Sequence, residues 1–156
     1  MKKRLKKIYI DTSVAGGYFE KEFSEDTKEF FRRARKGEFI LIVSTLLENE
    51  LLEAPSKVRN HISKLKKKFV LKITHNPQAE TLAANYISAG VVGKTSIEDC
   101  RHIALATICR ADVLVSWNFR HIVNVDRING YNSVNLKFNY KSIDIRTPKE
   151  VLNYEI

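Results

Sequence analysis

Cross-linking cysteine, proline, long apolar runs and acidic charge are all scarce in this chain. It has 156 residues and two cysteines. Cys100 and Cys109 lie nine residues apart in a segment with a helical pattern. A straight helix holds such a pair about 13 Å apart, at a rise of roughly 1.5 Å per residue, which is beyond disulfide reach. Two unpaired thiols suit a reducing compartment and predict a cytoplasmic protein. Proline occurs three times, and no low-complexity tract or linker divides the chain, so one domain over residues 1–156 is expected. No apolar stretch approaches the roughly 20 residues of a membrane span, so no membrane partner is expected. The basic N-terminus, MKKRLKKIYI, has an apolar run of only residues 8–10 and predicts no signal peptide.

The shortage of acids has a consequence of its own. Eighteen acidic residues face 27 basic ones, for a net charge of +9. Such an excess favours a polyanionic partner: nucleic acid, an acidic protein or an anionic membrane surface. Basic clusters fall at residues 2–7, 32–36 and 64–68. They are candidates for phosphate contacts, though a charge run is also what a solvated helix face looks like.

Short β-rich runs alternate with helical segments. Strands are expected at 7–11, 39–44, 69–74, 112–117 and 142–146. Helices are expected at 24–36, with Ser24 as N-cap and Gly37 past its end, and at 46–53, 56–67, 78–89 and 96–110. Pro148 opens a last short one. This alternation predicts an α/β fold, a three-layer α/β/α sandwich around a mostly parallel sheet of about five strands. The runs FILIVS and DVLVSW are apolar throughout, as strands buried on both faces are.

Ligands of open α/β sheets bind beyond the carboxyl ends of the strands, and acids and amides gather there. Asp11 follows the first strand and Asn118 follows VLVSW. Glu48 and Glu50 start the helix after strand two. Asp99 lies in the first turn of the helix that leads into strand four. Clustered carboxylates repel one another and call for a cation or shifted pKa values. Mg²⁺ and Mn²⁺ prefer such oxygen ligands. Each residue also has a plainer role open to it: a turn cap for Asp11 and Asn118, a capping box with Ser96 for Asp99, an exposed carboxylate for Glu50. Thr12, Ser13 and Ser116 are candidates to position water or phosphate, or simple turn hydroxyls. His102, three residues after Asp99, is a core or supporting histidine rather than a zinc ligand, since no partner has ligand spacing. His121 either touches RNA or packs, and Trp117 and Phe119 either stack on bases or pack. GxxxxGK[ST] and GxGxxG loops are both missing, which argues against nucleotide-binding folds built on them. Asp11-Thr12-Ser13 lacks the second acid of a dehalogenase-like D-x-D.

Four segments, YIDTSVAGGYF, VSTLLENELLEAP, SIEDCRHIALAT and ADVLVSWNFRHIVN, make the chain resemble the PIN-domain family. The likeness is to the toxin ribonucleases of prokaryotic toxin–antitoxin modules (the VapC group), and it runs from about Lys7 to Pro148. It implies an acidic site in which Asp11, Glu50 and Asp99 hold Mg²⁺ or Mn²⁺, with Glu48 in reserve for Glu50. The family's fourth acid, usually in T-x-D, is replaced here by Asn118 in S-W-N. Asn brings an oxygen but no charge, which weakens a second metal more than the first. The implied reaction is hydrolysis of RNA to 5′-phosphate and 3′-hydroxyl ends, with Asn118 orienting a metal-bound water. The implied partners are an RNA substrate, an antitoxin protein over the acidic groove and a second copy of the chain. The alternative is a non-catalytic RNA-binding domain of the same type.

Overall fold

The computed structural model describes residues 4–153. One sheet holds β1 (Lys7–Ile10), β2 (Ile40–Ser44), β3 (Val70–Ile73), β4 (Val113–Val115) and β5 (Asp144–Arg146), in the order β3-β2-β1-β4-β5. Every neighbouring pair is parallel, with Ile8 registered on Leu41 to one side and on Val113 to the other. The five expected strands are all present, each trimmed at its ends.

Helices α1 (Thr12–Gly17), α2 (Ser24–Arg35), α3 (Thr45–Leu51), α4 (Ser56–Ser63), α5 (Pro77–Ser88), α6 (Ile97–Ile108), α7 (Val125–Lys137) and α8 (Pro148–Asn153) flank the sheet. Alternation along the strands divides the core in two. Ile8, Ile10, Leu41, Val43, Val113 and Val115 pack with Val14 of α1, Phe30 and Phe31 of α2, Val58 of α4 and Val151 of α8. Tyr9, Ile42, Leu114 and Ile145 pack with Leu82 of α5, Ile103 of α6 and Tyr131 of α7. The result is the expected three-layer α/β/α sandwich. Each fully buried Ile, Leu or Phe contributes about 1.5–3 kcal/mol relative to an exposed one. No helix among the described residues is long and apolar enough to cross a membrane, and both cysteines are free.

Several local expectations need correction. Ser24 is the first residue of α2 rather than its cap; Phe23 precedes it and makes no side-chain cap bond. The helix expected over 56–67 ends at Ser63, and a 3₁₀ turn at Lys67–Phe69 leads into β3. Two helices went unforeseen. Asp11 leaves the strand and caps α1. The α7 segment holds Gly130 and three asparagines, a poor helical composition. Its asparagines act through tertiary contacts. Asn132 bonds both the N–H and the C=O of Ile143, and Asn135 accepts from Tyr86 Oη at 2.5 Å.

Two glycines matter to this packing. A Cβ on Gly17 would lie 2.8 Å from the Trp117 ring, so the close seat of α1 on that indole requires glycine. Gly37 turns the chain from α2 into β2 at φ +79°, under the Phe69 ring.

Candidate functional site

The strand order creates the site. From β1 the chain moves outward through β2 to β3, then returns to the other side of β1 for β4 and β5. β1 and β4 therefore flank the switch point, where α/β sheets open a crevice at their carboxyl ends. Asp11 follows β1 there, and Ser116, Trp117 and Asn118 follow β4.

Asp11 is buried at 4% exposure. Oδ1 accepts from Ser13 Oγ at 2.6 Å and from the Val14 N–H at 3.2 Å; Oδ2 accepts from Ser116 Oγ at 2.5 Å. The capping role weighed for Asp11 is thus real, but it uses only one of these bonds. A carboxylate has about four lone-pair sites, so one on Oδ2 stays open. The hydroxyls are themselves held: Ser13 Oγ accepts from the Trp117 N–H and Ser116 Oγ from the Asn118 N–H, each at 2.9 Å. Burial pushes the Asp11 carboxyl up, and His102, Ser116, Ser13 and the Val14 N–H offset only part of that.

Asp99 comes from the first turn of α6. The capping box that would explain it structurally does not form, because Ser96 makes no side-chain cap bond. Burial raises its carboxyl, and the neighbouring charge of Asp11 raises it further. His121, His102 and the Asn118 amide pull the other way. Asp11 and Asp99 are therefore electrostatic neighbours. Asn118 Oδ1 accepts from the His121 N–H at 2.9 Å, which leaves the amide N–H₂ as the group it offers Asp99. The Asn118 oxygen therefore also closes a turn, the plainer role open to it, with one lone pair used.

Glu50 approaches from α3. Its Oε1 meets His102 Nε2 at 2.9 Å, and its Oε2 accepts from Thr12 Oγ1. Burial would raise its carboxyl, but His102 and Thr12 outweigh that and hold it below the ordinary range. Glu48 instead faces Lys72 of β3 at 3.9 Å, on the sheet's edge. His102 is 3% exposed, and its Nδ1 lies 2.7 Å from Tyr9 Oη, itself 3.1 Å from Ser44 Oγ. A carboxylate only accepts, so His102 Nε2 donates to Glu50, and Nδ1 sits against the Tyr9 hydroxyl. His102 is thus the part of the site that sequence reasoning undervalued. Its spacing from Asp99 was visible, but its bond to Glu50, on another helix, was not. Trp117 packs: it stacks on Phe23 at 4.5 Å and donates to Thr27 Oγ1 at 2.9 Å.

Asp11 and Asp99 feel one another's charge, and Glu50 bonds Thr12, the residue after Asp11, and His102, three residues after Asp99. Among the described residues, no three His, Cys, Asp or Glu side chains are grouped closely enough to ligate one ion. The Asp11–Asp99 pair still fits a hard divalent cation. Mg²⁺ is commonly bound by one or two carboxylates with water filling its other positions, and a dication offsets the repulsion that lifts both carboxyls.

No family model matches this chain, and no curated protein matches it either.

Proposed function

We propose that this protein is a Mg²⁺- or Mn²⁺-dependent endoribonuclease of the PIN-domain type, the toxin of a type II toxin–antitoxin module. The observation that supports the reading is the placing of Asp11 after β1 and of Asp99 in the first turn of α6 as electrostatic neighbours, both with carboxyls raised by burial and Asp99 also by the charge of Asp11. Asp11 and Asp99 would hold the ion, with Glu50 held near them through Thr12 and His102. A bound ion would supply a water of lowered pKa and positive charge against the phosphodiester. The chain's own part is positional. Ser13, Ser116 and the Val14 N–H fix the Asp11 carboxylate. Asn118 donates towards Asp99, and His102 orients Glu50. The family resemblance adds an antitoxin covering the acidic end and a second copy as partners.

A second reading, a non-catalytic RNA-binding domain, is favoured by one observation: both Glu50 oxygens already have protein partners. Incubation of wild type, Asp11→Asn and Asp99→Asn with structured RNAs in Mg²⁺, Mn²⁺ or EDTA decides between them. The ribonuclease cleaves with either metal, stops in EDTA and loses at least about 100-fold in each variant, more than the removal of a supporting partner costs. Cleavage that persists in EDTA or in both variants overturns the proposal. RNA bound without cleavage selects the second reading.

A further inference from the structure

At the opposite end of the sheet, a cation stands at or shortly before the start of each strand. Along the order β3-β2-β1-β4-β5, Lys68, Lys36, Arg110 and Lys141 come shortly before β3, β2, β4 and β5, and Lys7 opens β1. A sheet of five strands is roughly 19 Å wide at about 4.8 Å per strand, so these charges form a row of that length. The row is concave along its β1, β4 and β5 half. A cleft of about 490 Å³ is lined by Arg4, Lys7, Arg110 and Lys141. Its acid, Asp112, pairs with Arg4 at 2.8 Å and accepts from the Lys7 N–H at 2.8 Å.

Arg110 is the telling residue. It closes α6 in the left-handed region, at φ +57°. Its N–H bonds Thr107 O and the next N–H bonds Ala106 O, the pairing of a Schellman turn. Glycine occupies that position without strain. Here the chain places an exposed arginine there, beside the cleft.

We propose that this amino-end cleft and its flanking row bind the phosphate backbone of a polynucleotide, at a surface separate from the acidic site. β1 separates the two ends by about 13 Å, at roughly 3.3 Å per residue. A row of cations suits a linear polyanion, whereas a lone phosphate would occupy one pocket. Contacts of this kind give affinity without sequence preference, and they weaken steeply with salt. The surface goes beyond the ribonuclease reading and does not depend on it.

The test is fluorescence anisotropy of a labelled single-stranded RNA with the full-length Asp11→Asn protein in EDTA, over a range of salt concentrations. The double reversal Arg110→Glu/Lys141→Glu should weaken binding at least about 10-fold and lower the salt slope by about 1.4, the value for two lost contacts to a single strand. Lys28→Glu/Lys149→Glu changes the net charge equally on the α2–α8 face and should cost less than about 3-fold. Arg110→Gly relieves the backbone while removing one cation. It should keep or raise the melting temperature yet bind several-fold more weakly, which separates binding from folding. Equal losses in the two double reversals overturn the proposal, as does full affinity in Arg110→Gly. Displacement of RNA by polyglutamate at equal charge overturns the polynucleotide assignment. Cleavage is not read here, so failure of the catalytic proposal would leave these results standing.

Discussion

Asp99 and Asp112 are the same side chain at opposite ends of one sheet, and the fold treats them in opposite ways. At the carboxyl end, burial and the charge of Asp11 push the Asp99 carboxyl up. At the amino end, burial is outweighed by the Lys7 N–H, the Arg4 guanidinium and the charge of Lys6, and the Asp112 carboxyl is held down. The first environment opposes its own ionisation and the second favours it. Groups of the first kind gather at functional sites, so the comparison supports the carboxyl end as the candidate site without reference to any relative.

Next to the loss expected on removing Asp11 or Asp99, the largest effect at the carboxyl end comes from a residue that need not touch substrate. His102→Phe leaves Glu50 Oε1 and Tyr9 Oη without their ring partners. Loss of such an orienting group typically costs 10–100-fold in metal affinity or activity. The Mg²⁺ concentration for half-maximal cleavage should rise by about that factor. An unchanged Mg²⁺ requirement would assign Glu50 to the packing of α3 and shrink the acidic end to Asp11 and Asp99.

The charges of the α2 and α4 ends are felt in the packed layer at one ring. The His61 ring lies 4.0 Å from the Tyr18 centroid and 4.4 Å from that of Phe31, and its Nε2 is buried without a partner. Burial first, and then the charges of Arg35 and Lys64, push its pKa down to about 4. Between pH 6.5 and about 4 the unfolded chain binds a proton that the folded chain refuses. This contribution to stability is therefore complete above about pH 6.5, falls as pH drops towards 4 and levels off below. Urea midpoints measured from pH 7.5 to 4 should decline less steeply in His61→Phe. Parallel profiles would show that the ring takes its proton in the folded state.

How far the sequence reveals each end follows from the range of the interactions. Apolar runs such as FILIVS announced β2 because burial on both faces leaves a one-dimensional trace. Asp11 was legible because it directly follows such a run. The three basic clusters were visible as runs, but their alignment with Arg110 and Lys141 along one edge needed the strand order. Glu50 could not be separated from Glu48 by spacing, since a helix start presents both, and only His102 and Lys72 distinguish their surroundings. The α7 helix escaped because its asparagines are weak helix formers, while Asn132 and Asn135 find their partners far along the chain at Ile143, Tyr86 and Thr107.

The smallest effect gives the sharpest test, because its sign differs between the two ends. In EDTA, Asp99→Asn removes the repulsion with Asp11 and keeps an acceptor for the Asn118 amide. Stability should rise by about 1 kcal/mol, which is about 2–4 °C in melting temperature for a domain of this size. Asp112→Asn removes the charge that Arg4 pairs with. That arginine side chain is 65% exposed, so the loss should be under about 1 kcal/mol, a fall of one or two degrees. The two positions share no partner, so the double variant should melt near the sum of both shifts. A fall in Asp99→Asn would mean that its carboxylate is held by something stronger than Asp11 repels it. A rise in Asp112→Asn would mean that the amino-end cations do not hold that carboxyl, and the contrast between the ends would then be one of sequence rather than of energy.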